Sequence, residues 1–69
     1  MKNKLKVERA VKNITQARLA EMVQVSRQTI NAIELGKYNP STALALKIAF
    51  VFEKNVEEIF LLEEGDWER

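Results

Sequence analysis

TQARLAEMVQVSRQTINAIELGKYNPS, residues 15–41, is the stretch on which the fold turns. Thr15 is a good helix-opening side chain, and Leu19, Ala20 and Val23 fall on one face of the helix that follows. Gln24 and Val25 leave room only for a tight turn before Ser26, a second helix-opening residue. The next helix runs to about Leu35, and Gly36 stands where a left-handed residue ends it. Ala20 is small enough for the two backbones to approach, with Val25 and Ile30 buried between them and Ile33 as a second anchor.

Two short helices joined this tightly predict a helix-turn-helix. At about 100° per residue, Thr29, Ile30 and Ile33 share one side of the second helix with Ser26, with Glu34 at the border. Arg27, Gln28, Asn31 and Ala32 share the other. That outward face carries a guanidinium, two carboxamides and a methyl. A carboxamide donates and accepts at once, which neither Lys nor Glu can do. These are also the groups that match base edges: Arg bidentate to guanine, Gln or Asn to adenine, a methyl against the thymine methyl. The expected role of Arg27, Gln28, Asn31 and Ala32 is base reading.

Outward from this centre the chain reads as all-α. A first helix is expected over about Lys2 to Lys12, leaving through Asn13, a residue that tolerates a left-handed exit. Ser41 opens a fourth helix over Thr42 to Phe52 or Glu53, apolar around most of its circumference and so expected to be central and buried. Glu57 to Leu62 reads as a short closing helix, and residues 63–69, EEGDWER, as a tail without helical periodicity. The expected division is a domain over 1–62 and an acidic tail over 63–69.

At 69 residues the chain is one domain near the lower limit for a self-supporting core, which favours dimerisation. With 46% hydrophobic and 30% charged residues it is globular rather than disordered. No cysteine or histidine is present, which removes disulfides, the usual zinc ligands and the commonest general base. The ionisable groups do not converge, and the two glycines, Gly36 and Gly65, form no phosphate-cradling loop, so no enzyme activity, cofactor, metal or small-molecule substrate is expected. No apolar run approaches a membrane span and no secretion signal follows the basic N-terminus, so the expected location is cytoplasmic. Charge is polarised: residues 1–52 hold nine Lys/Arg against three Glu, giving +6, while residues 53–69 hold two against seven, giving −5. A basic body suits a polyanion, with the acidic end turned away.

The stretch ITQARLAEMVQVSRQTINAIELGKYNPS, residues 14–41, resembles the helix-turn-helix core of the phage-repressor and Cro (Xre-like) regulators, especially their compact prokaryotic members. The resemblance extends over about Leu5 to Phe60 and implies a five-helix phage-repressor-like domain, helix-turn-helix at helices two and three. It implies a sequence-specific, double-stranded DNA-binding transcriptional regulator, a repressor acting as a homodimer on an inverted repeat, with recognition helix 27–35 in the major groove. Gln16 resembles the glutamine that bonds a phosphate and braces the recognition helix. Ser26, Thr29, Lys37, Tyr38 and Asn39 occupy further phosphate-contacting positions. Thr29 has packing inward as its rival role, and Ser26 has capping. Arg9 and Glu34 match a structural ion pair that orients the third helix. Gln24 stands where the family often has glycine in a left-handed turn, and Asn13 replaces another common glycine.

Phe50 and Phe60 read as core, whereas Leu61, Leu62 and Trp67 are hard to bury in so small a monomer and are the expected dimer contacts. The competing function is an antitoxin-like interaction module that binds a toxin partner and its own promoter, with FLLEEGDWER as the partner segment.

Overall fold

The computed structural model describes residues 1–68. The chain order is β1 (Lys2–Asn3), α1 (Leu5–Lys12), α2 (Gln16–Val23), α3 (Arg27–Glu34), α4 (Thr42–Phe52), α5 (Val56–Ile59), β2 (Phe60–Leu61) and a 3₁₀ turn over Glu64–Trp67. The fold is the all-α, five-helix domain read from the sequence, with three local differences. The first helix starts at Leu5 because Lys2–Asn3 is drawn into an antiparallel ladder, Lys2 opposite Leu61 and Asn3 opposite Phe60. The closing helix shifts for the same reason, occupying Val56–Ile59 before Phe60 and Leu61 become extended. Glu64–Trp67 is turned rather than irregular, with the Asp66 carboxylate accepting from the Glu63 N–H at 2.7 Å. Arg69, the end of the 63–69 segment, lies outside the described residues.

Helix boundaries follow from local chemistry. The hydroxyls of Thr15, Ser26 and Ser41 accept from the backbone N–H of Arg18, Thr29 and Leu44 at 3.0, 3.1 and 3.1 Å. Each satisfies one of the amide groups that a helix start leaves without a partner. Helices α1, α2 and α4 end in left-handed residues, Asn13, Gln24 and Glu53, with φ of 54°, 63° and 55°. In α3 the same device uses Gly36, at φ 75°, with the Lys37 N–H returning to the Ala32 carbonyl at 2.9 Å.

The core is one cluster built from Leu5, Leu19, Ala20, Val23, Ile30, Ile33, Leu44, Ile48, Ala49, Phe52, Ile59 and Phe60, with Val25 partly buried against it. Helix α4 buries only one face: Leu44, Ile48, Ala49 and Phe52 point inward while Leu46 and Phe50 are exposed. Phe50, read from the sequence as core, is 84% exposed. Its helix is apolar on nearly every side, so periodicity could not choose which side turns inward. Phe60 is buried.

Two sets of charge contacts away from α3 tie distant parts of the chain together without a trace in the sequence. Glu8 is buried in α1, and its carboxylate accepts from Lys54 Nζ at 2.9 Å. The left-handed turn at Glu53 aims Lys54 back toward α1, and the Glu8 carboxylate raises the ammonium pKa above its ordinary value. The Met1 ammonium lies 3.1 Å from both Glu63 and Asp66.

Candidate nucleic-acid interface

Helix α3 presents Arg27, Gln28 and Asn31 exposed and Ala32 half-buried, while Ile30 and Ile33 are fully inside. Ser26 holds the start of the helix, its Oγ 3.0 Å from Thr29 Oγ1 as well as bonded to the Thr29 N–H. Thr29 is thus half-buried against its own cap. Lys37, Tyr38 and Asn39 are exposed on the loop that follows. Gln16, Arg27, Gln28 and Asn31 together line a shallow concavity between the starts of α2 and α3.

Behind this surface the polar groups are connected. Gln16 Nε2 donates to Asn31 Oδ1 and to Glu34 Oε1, both at 3.1 Å. Arg9 Nε donates to Glu34 Oε2 at 2.6 Å and Arg9 Nη2 to Oε1 at 3.0 Å, a fork-shaped pair. Arg9 Nη1 also donates to the Ile14 carbonyl at 3.0 Å, at the exit from α1. A chain of bonds therefore runs from α1 through the end of α3 to the outward carboxamide of Asn31. Burial by itself pushes the Glu34 carboxyl up, but hydrogen bonds from Arg9 and Gln16 outweigh it and leave its pKa below the ordinary value. The Glu34 carboxylate correspondingly holds the Arg9 guanidinium above its usual range. Both charges are well shielded from solvent.

The remaining candidates lie elsewhere. Leu61 is half-buried in β2, and Leu62 and Trp67 are exposed beyond it. The structure thus gathers Gln16, Arg27, Gln28 and Asn31 at one site and leaves the C-terminal apolar residues on another. Sequence reasoning overlooked Asn3, whose Nδ2 donates to the Ile33 carbonyl at 2.8 Å, in the last turn of α3. The sequence carried a trace of one bond alone: an Asn side chain readily accepts from the N–H two residues on, here Leu5, whereas nothing local points to Ile33. No helix among the described residues is long and apolar enough to cross a membrane.

A helix-turn-helix family model matches residues 5–59. The chain is 56% identical over 66 residues to an uncharacterized HTH-type transcriptional regulator of Methanocaldococcus jannaschii, covering 96% of this chain and all of that protein. It is 49% identical over 70 residues to another from Archaeoglobus fulgidus, covering 100% of this chain and 99% of the relative. A third relative, the uncharacterized HTH-type transcriptional regulator YgzD of Bacillus subtilis, is 52% identical over 64 residues, covering 93% and 97%. The chain belongs to the Xre-like helix-turn-helix family of DNA-binding transcriptional regulators.

Proposed function

We propose that this chain is a sequence-specific repressor that binds an inverted-repeat operator as a homodimer, with α3 in the major groove. The observation that carries the reading is the face of α3. Arg27, Gln28 and Asn31 are exposed there without a neutralising carboxylate among them, on a helix anchored from behind by Ile30 and Ile33. Arg27 and Gln28, in the first turn, reach base edges, and Ala32 offers a methyl to thymine. Because Asn31 Oδ1 already accepts from Gln16, its Nδ2 is the group offered outward, which favours a base acceptor such as guanine O6 or thymine O4.

Gln16 acts in two ways in this reading. Both hydrogens of its Nε2 are engaged within the protein, so the side chain braces α3. Its backbone N–H, in the first turn of α2, then meets the phosphate, as helix starts do with anions. Ser26, Thr29, Lys37, Tyr38 and Asn39 flank the groove as backbone contacts. Arg9 and Glu34 stay inside and hold α3 at its angle. Leu61, Leu62 and Trp67, on the acidic end, join the two copies away from the phosphates.

Selection from a random duplex pool at about physiological salt tests the reading. Enrichment of two inverted half-sites about one helical turn apart supports it. No enrichment by folded protein refutes it.

Phe50, exposed beside Met22 and Leu46, supports a second reading in which the chain also binds a protein, such as a toxin whose promoter it controls. Co-purification of a neighbouring gene product, lost in Phe50→Glu, is the expected result for that reading.

A further inference from the structure

We propose that Asn3 is a positioning residue that fixes the angle between the recognition helix and the C-terminal face on which two copies pair. This rests on the dimeric operator-binding reading above. Asn3 is placed by its strand and held by two side-chain bonds. It sits opposite Phe60 in the β1–β2 ladder, which the adjacent Lys4 N–H secures by donating to the Ile59 carbonyl at 2.8 Å. Its Oδ1 accepts from the Leu5 N–H at 3.1 Å, taking up a free amide group at the start of α1. Its Nδ2 donates at 2.8 Å to the Ile33 carbonyl. That carbonyl also accepts from the Gly36 N–H at 3.0 Å, so it lies where α3 no longer satisfies its own acceptors.

One residue therefore joins the two, its strand lying against β2 and its part-buried carboxamide bonding the far end of α3. Leu61 lies within β2 and Leu62 follows it, so the segment that joins the copies begins one residue from Asn3's strand partner. In a two-copy complex the path from seam to DNA runs through β2, Asn3 and α3. Half-sites lie about 34 Å apart, and each added base pair moves them by about a tenth of that. A stiff path discriminates between such spacings, whereas a loose one accepts neighbours.

Asn3→Asp separates the two side-chain roles: it keeps the acceptor for Leu5 and removes the donor to Ile33. Asn3→Ala removes both, and Asn3→Ser, too short to reach Ile33, replaces Asp if a carboxylate beside a carbonyl unfolds the chain. Each full-length protein is confirmed as folded by circular dichroism at the working temperature and then used in selection from a random duplex pool. The expected result is one half-site sequence shared by all, with a single dominant spacer for the parent chain. In Asn3→Asp the preference for that spacer over those one base pair longer or shorter falls roughly fivefold, the scale of one hydrogen bond.

An unchanged spacer preference in Asn3→Asp, even with a lower melting temperature, overturns the proposal, because a merely stabilising Asn3 gives that pattern. So does a changed half-site sequence, or a loss confined to Asn3→Ala, which assigns the effect to the Leu5 cap. Unpaired half-sites from the parent chain overturn the dimeric reading and this proposal with it. That failure is visible without any variant, so the two are distinguishable.

Discussion

Gln28 gains nothing from burial on the exposed side of α3, and its side chain makes no bond to the rest of the described residues. In the proposed reading, a base edge is its partner. Gln28→Ala is expected to lower affinity for the selected operator by about 1–3 kcal/mol and to leave binding to random DNA nearly unchanged. Titrations of both duplexes at one salt concentration check this, and equal losses refute base reading. Arg9 is the opposite kind of residue. Its loss in Arg9→Ala leaves Glu34 shielded with Gln16 as its remaining side-chain donor, at a cost of roughly 3–5 kcal/mol in urea unfolding. Glu34 has a folded-state pKa below its ordinary value, so its stabilising contribution is complete above about pH 4.5 and is lost as pH falls through the folded value. Without Arg9 burial dominates and that pKa rises, so the variant is expected to lose less stability on acidification than the parent. The amide face was legible because residue type and helical angle suffice to define it. The Gln16–Asn31 bond was not, since spacing along a chain does not say which of two amides turns inward.

Short helices with capped ends are the units from which this fold is assembled, and their ends carry most of its local strain. Gln24 is an L residue at φ 63° between α2 and α3, which costs about 1–2 kcal/mol against the right-handed alternative. Gln24→Gly relieves this, offset in part by the freedom glycine gives the unfolded chain and by the weak 3.5 Å contact from Lys47 Nζ. The expected net gain is about 1 kcal/mol, read as a rise in melting temperature of about 4–8 °C. Capping residues made α2, α3 and α4 legible, because a hydroxyl and the amide it serves lie three positions apart. The pairing of Lys2–Asn3 with Phe60–Leu61 left no such trace. Two residues give no alternation to detect, and their partners lie at the far end of the chain. The left-handed Glu53 was equally silent, since neither its charge nor its neighbours favour that conformation.

For the molecule as a whole, polarity divides the surface. The amide face of α3 lies at one site, and at another the exposed Trp67 sits in a segment that also carries Glu63, Glu64, Asp66 and Glu68. A seam built on Leu62 and Trp67 tolerates no added charge. Leu62→Glu is expected to shift sedimentation from dimer to monomer and to weaken binding to the paired operator more than tenfold, while a single half-site is bound as before. A dimer that persists in Leu62→Glu moves the seam elsewhere. The antiparallel ladder joining the chain's two ends also dictates an order of events. Helices α1 to α4 gather neighbours close in sequence and form early, whereas β1 meets β2 only after nearly the whole chain has been drawn into a loop. The bond from Asn3 to Ile33 is thus among the last to close in folding and among the first to open in the native state. In hydrogen exchange the amide of Lys4, held by Ile59, is expected to exchange well before those of Leu19 and Ile30 in the core. The far end of α3 thereby leaves its stiff, bonded state only in rare and brief excursions, which its capped start does not share.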